Sequence, residues 1–168
     1  GAYLANTLKF GGQEIGAAYG AFAIGAMISP FVVGLIADRY FASEKMLAAL
    51  ALGGGAMLCA LPQLTQFKSF HPTLILYCAL SAPTLNLGNS LSLHHLQNAS
   101  VDFPRVKIWS AVGWIGGGIT LSLLNGEQSS IQFYLAGAVS ILLGLFSFTL
   151  PHTPPKKVGA HVTLAEVL

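Results

Sequence analysis

The chain has 168 residues, 54% of them hydrophobic and 8% charged, with a mean hydropathy of +0.66 and a formal net charge of +2. Soluble domains carry about 25% charged residues, so the composition predicts a protein that resides in a bilayer. The small, scattered positive charge excludes a nucleic-acid-binding surface.

The predicted elements alternate between long apolar stretches and short polar connections. A bilayer span needs about 20 predominantly apolar residues. Residues 1–7 are too few and read as the tail of a largely missing first helix; residues 9–14 form a polar, glycine-containing loop. Residues 15–37 are the first full span. Gly12, Gly16 and Gly20 recur every four positions, as do Ala17, Ala21 and Gly25, a spacing that lets helix backbones approach closely in lipid. A charged loop, 38–45, leads to the second span, 46–64, which has Gly53–Gly55 in its middle. After the loop 66–71 comes a third span, 73–96, interrupted by Pro83. The loop 97–105 precedes the fourth span, 106–124, with Asp102 and Pro104 as helix-start residues. A tight polar loop, 125–130, connects to the fifth span, 131–150. Cys59 and Cys78 fall inside apolar stretches and read as small core residues, not as a disulfide or a metal pair.

Residues 151–161, with Pro154, Pro155, Lys156 and Lys157, mark the exit from the membrane, and residues 163–168 read as the start of another apolar element. The first residue is Gly and no cleavable signal peptide is visible. The expectation is a fragment, with a transmembrane bundle over residues 1–150 and a linker over 151–168 toward a missing second bundle. Lys and Arg are retained on the cytoplasmic side of membranes. Arg39, Lys45, Arg105, Lys107, Lys156 and Lys157 fall in one set of alternating connections, against Lys9 and Lys68 in the other. The six-residue side, including the tail after residue 151, is therefore expected to be cytoplasmic. The fold class is all-α: a six-helix membrane bundle, half of a plan in which two bundles rock around a midplane site.

Polar side chains inside the spans are the candidate functional residues. At 100° per residue, Asn86, Asn89, Ser90 and Gln97 fall within about a third of the third helix's circumference. Carboxamides in a bilayer need a partner or water, so Asn86 and Asn89 read either as a cavity wall or as interhelical hydrogen-bonding groups. His94 and His95 point to different faces and lack the i, i+4 spacing of a chelating pair. On the fourth span Lys107, Ser110, Ala111, Trp114 and Gly118 share a face, with Trp109 opposite. Lys107 has two readings, a lysine snorkelling to the surface or a cation facing a central cavity. Trp114 lies about 10 Å deeper at 1.5 Å per residue, below the interfacial tryptophan belt, and suits stacking against a planar ring.

The sequence Gly34-Leu-Ile-Ala-Asp38-Arg39 resembles the loop signature of the major facilitator superfamily, although Phe41 replaces a usual glycine and the basic pair is altered. Further stretches resemble the nucleoside:proton symporter family within it. They are Thr7-Leu-Lys-Phe10, Pro83-Thr84-Leu85, Leu96-Gln-Asn-Ala99, Asp102-Phe-Pro104 with Lys107-Ile-Trp109, and Thr149-Leu-Pro-His152. The resemblance implies the N-terminal half of a proton-coupled nucleoside importer in the bacterial inner membrane. It implies a conformational latch at Gly34, Asp38 and Arg39, and substrate contacts at Lys107, Ala111 and Trp114, joined by Asn86 and Asn89. Lys107 stands where the family has an arginine, which keeps the charge but loses the bidentate fork. The expected partners are nucleosides, protons, the lipid bilayer and the second bundle; no cofactor, metal or nucleic acid is expected. No nucleophile–base pair or phosphate loop suggests an enzyme. The alternatives are a symporter for sugars or other polar metabolites and, further off, a non-transporting membrane sensor or scaffold.

Overall fold

The computed structural model describes residues 1–40 and 42–152, with the side chains of 29–41 excepted. Five long helices carry the chain: α1 Gly12–Tyr40, α2 Ser43–Ala60, α3 Phe67–His95, α4 Ala99–Leu123 and α5 Ile131–Ser147. A short π-helical turn, Tyr3–Thr7, precedes them, and 3-10 turns at Leu61–Gln63 and Gly126–Gln128 follow α2 and α4. No strand occurs among the described residues.

The order of elements follows the sequence expectation, but the first four helices begin earlier, α3 and α4 by the most. The amides of Ser69 and Phe70 bond back to the Gln66 carbonyl, and those of Val101 and Asp102 to the Asn98 carbonyl. Each forms a helical turn ahead of a proline. Pro72 and Pro104 therefore lie inside α3 and α4 rather than at their starts. Much of the expected loops 66–71 and 97–105 is helix. Pro83 does not break α3 either. A helical proline leaves the carbonyl four residues back, here that of Ala79, without its amide; nearby hydroxyls donate to other carbonyls, Ser81 to Cys78 at 3.3 Å and Thr84 to Ser81 at 2.6 Å.

Among the described residues, Ser43–Gln63 and Ala99–Leu123 are long and apolar enough to cross a membrane by length and composition. The 29-residue α3 exceeds the needed length, but its polar stripe dilutes its hydropathy. The apolar α5, at 17 residues, lies at the lower limit of span length.

Packing sorts the helices. α2 and α5 run antiparallel along a seam of small residues. A Cβ at Gly55 would stand 2.7 Å from Ile141 Cγ1 and 3.0 Å from the Gly137 carbonyl, and one at Gly137 would stand 2.6 Å from Cys59 Sγ. Glycine is required at both, and the Ser140 hydroxyl then reaches the Ala51 carbonyl at 2.8 Å. α1 and α3 run parallel. Ala18, Ala21 and Gly25 are buried, and a Cβ at Gly25 would meet Cys78 Cβ at 2.5 Å. Of the two small-residue stripes on α1, that of Ala21 and Gly25 is packed, whereas Gly12, Gly16 and Gly20 face open space.

Two apolar clusters close the ends of the bundle. Phe10, Leu58, Leu61 and Phe70, with Phe133 against them, join the starts of α1, α3 and α5 to the end of α2. Met46, Leu47, Leu50, Leu87 and Leu91, with Leu150, join the start of α2 to the ends of α3 and α5. Beside this second cluster the buried Glu44 carboxylate lies 2.7 Å from His152 Nδ1. α4 belongs to neither cluster and has no buried residue.

Candidate functional site

The polar stripe on α3 lines an open groove of 410 Å³, formed by Asn86, Asn89, Ser90, Leu93 and His94. The positions i, i+3, i+4, i+7 and i+8 fall on one helical face, so the groove follows from the register of α3. It lies on the side of α3 toward α4. The bridge between the helices is polar: Lys107 Nζ donates to Asn89 Oδ1 at 2.7 Å. The same ammonium stands 5.3 Å from the centroid of the Phe103 ring, one turn earlier on α4. An ammonium over an aromatic face is attracted by the ring quadrupole. Arg105 pairs with Asp102 at 3.2 Å on the exposed first turns, leaving Lys107 as the cation directed to α3.

Of the residues expected to contact solute, Asn86 and Asn89 are brought together in the groove, and Lys107 joins them through Asn89. Ala111 and Trp114 follow Lys107 by four and seven positions on α4, so they share its face. Both are exposed, and Trp114 is 86% exposed, with its ring free to meet a planar partner. Gln97 lies beyond the end of α3 and outside the groove lining. His94 lines the groove, and its ring meets that of His95 edge-on at 5.1 Å, although the two residues leave the helix on different sides. Gly34, Asp38 and Arg39 lie on the last turns of α1, and their side chains are outside the described residues. Residues 153–168, most of the expected linker, are also outside them.

Two contacts were not foreseen from the sequence. The Asn89–Lys107 bond joins residues 18 positions apart, and the Glu44–His152 contact joins residues 108 apart, so no local spacing rule links either pair. Phe103 beneath Lys107 carries a readable signal, since an aromatic and a cation at i, i+4 are neighbours on a helix.

All 168 residues match the family model described as nucleoside H+ symporter. The chain belongs to that family. Among family relatives in Escherichia coli K12, it is 36% identical to a putative nucleoside transporter, YegT, over 89% of this chain and 37% of that protein. It is 34% identical to the nucleoside permease NupG and 33% identical to a xanthosine permease, in each case over 100% of this chain and 41% of the relative. The crystal structure of a mutant of the nucleoside transporter NupG superposes with a TM-score of 0.91 at 32% identity, covering 99% of this chain and 42% of that one. The symporter-family chain thus spans about two fifths of the length of the relatives it matches. It has the fold of the N-terminal part of a major facilitator transporter, and its relatives are transporters, not enzymes. Membership also makes it part of a multi-pass membrane protein.

Proposed function

We propose that this chain works as the N-terminal bundle of a proton-coupled nucleoside importer of the plasma membrane, with residues 1–150 as the bundle and 151–168 as a cytoplasmic linker to a second bundle. The observation that carries the reading, beside family membership, is the convergence of a cation on α4 with the carboxamide-lined groove of α3. A nucleoside needs an apolar surface for its base and hydrogen-bonding groups for its ribose and base edge. Trp114 supplies the first; Asn86 and Lys107, the latter held by Asn89, supply the second. Ala111, one turn from Lys107, leaves room between the cation and the indole.

In this reading the solute binds between two bundles and is released when they rock about it. Gly34, Asp38 and Arg39, at the cytoplasmic end of α1, serve as the latch of that motion. No bond in the solute is broken. Proton coupling comes to this chain from its family, and within the described spans no carboxylate lies in the groove lining.

The test is uptake of labelled uridine and adenosine by the full-length protein in cells lacking nucleoside uptake, with and without a proton gradient. Gradient-dependent uptake, weakened at low solute concentration by Lys107→Ala and by Trp114→Ala in protein present in the membrane, is the expected result. Absence of nucleoside uptake by the wild type, with uptake of a sugar instead, overturns it in favour of another polar-metabolite symporter.

A further inference from the structure

We propose that Asn89 is a positioning residue, which acts on the solute through Lys107 rather than by touching it. This deepens the functional reading above and rests on it for the identity of the solute. The chemistry of the pair fixes its polarity. An ammonium has three donors and no acceptor, so it meets the oxygen of the carboxamide and not the nitrogen. Asn89 Oδ1 is therefore occupied, at 2.7 Å, by Lys107 Nζ. The Phe103 ring, 5.3 Å from the same ammonium, bounds it on the α4 side. Two contacts from two helices thus fix the head of a side chain whose stem has four rotatable bonds. The remaining N–H groups of the ammonium are free to donate toward the groove.

The flexibility of a lysine gives this arrangement its purpose. A guanidinium is planar and pre-organised, whereas an ammonium on a flexible stem loses more rotamer freedom when it binds. Asn89 and Phe103 hold the lysine head in place before solute arrives, so less order has to be imposed at the moment of binding. The cost of losing Asn89 should therefore fall on solute affinity, and only while Lys107 is present.

The experiment is a double-mutant cycle in the full-length protein, with KM and maximal rate for uridine uptake normalised to the amount of protein in the membrane. Asn89→Ala is expected to raise KM on the order of tenfold, the effect of losing a hydrogen bond to a charged group, with little change in maximal rate. Lys107→Ala raises KM at least as much, and adding Asn89→Ala to it has no further effect. Asn89→Asp, which keeps the acceptor oxygen and lacks the amide N–H groups, retains a KM close to that of the wild type. The proposal is overturned if the two alanine changes multiply, if Asn89→Asp is as damaging as Asn89→Ala, or if Asn89→Ala leaves KM unchanged. Should the wild type move no nucleoside, the functional reading fails separately. The same cycle read on the thermal midpoint of the purified protein then decides the bond, with independent effects of the two residues overturning it.

Discussion

Lys107 and Trp114 share one face of α4, and in the proposed reading they divide the work of recognition between charge and stacking. Base–aromatic stacking is worth roughly 1–3 kcal/mol, so Trp114→Ala should raise KM on the order of tenfold, whereas Trp109→Ala, on the opposite face, should leave KM within about twofold; uridine uptake kinetics check both. Glu44 belongs to a different part of the bundle. Its carboxylate is 4% exposed and meets the exposed ring of His152. Removing that ring takes a hydrogen-bond partner from a buried carboxyl group, and His152→Ala should destabilise the protein by about 1–3 kcal/mol, seen as a lower thermal midpoint with unchanged KM. The carboxamide stripe on α3 was legible because helical periodicity alone puts Asn86, Asn89 and Ser90 together. The direction of Lys107 was not, because snorkelling and inward-facing lysines have the same sequence, and the difference lies in where α3 stands relative to α4.

At the scale of elements, close approach is enforced where glycines face backbone. The seam between α2 and α5 has no room for a larger residue at Gly55 or Gly137. Gly55→Val should cost about 1–3 kcal/mol or more through overpacking. By contrast Gly116→Ala and Gly117→Ala on α4, where nothing lies within 4 Å, should raise the thermal midpoint of the purified chain slightly, since alanine is the better helix former by about 1 kcal/mol. The number, order and approximate extent of the helices were readable from apolar run lengths. Their starts were not: Pro104 looked like a boundary, yet the turn built on Asn98 places it inside α4, as the turn built on Gln66 extends α3 ahead of Pro72. The small-residue stripe of Ala21 and Gly25 was visible in the sequence. Which of two such stripes on α1 is packed depends on the position of α3, and pattern alone carries no information about that.

For the whole molecule, the two apolar clusters divide the connections into two sets. The set near the start of α2 and the ends of α3 and α5 holds Lys45, Arg105 and Lys107, whereas Lys9 and Lys68 lie at the other end. The proposed orientation puts the first set on the cytoplasmic side. Reporter domains fused in the full-length protein should therefore be cytoplasmic after residue 152 and external in the loop holding Glu127; the reverse labelling pattern would reject the orientation.

The glycine seam also has a consequence for how the protein is made. α1 finds its partner α3 once synthesis has passed residue 95, but the face of α2 that carries Gly55 fits against α5, whose Gly137 lies 82 residues later. During that interval α2 stands in the bilayer with its narrowest surface uncovered, exposed to lipid and to neighbouring chains. Pairings between distant segments form late and leave intermediates open to wrong partners. α5 therefore closes this group of helices as well as adding to it, and a ribosome that stalls before α5 would release a chain whose most closely fitted surface has no counterpart.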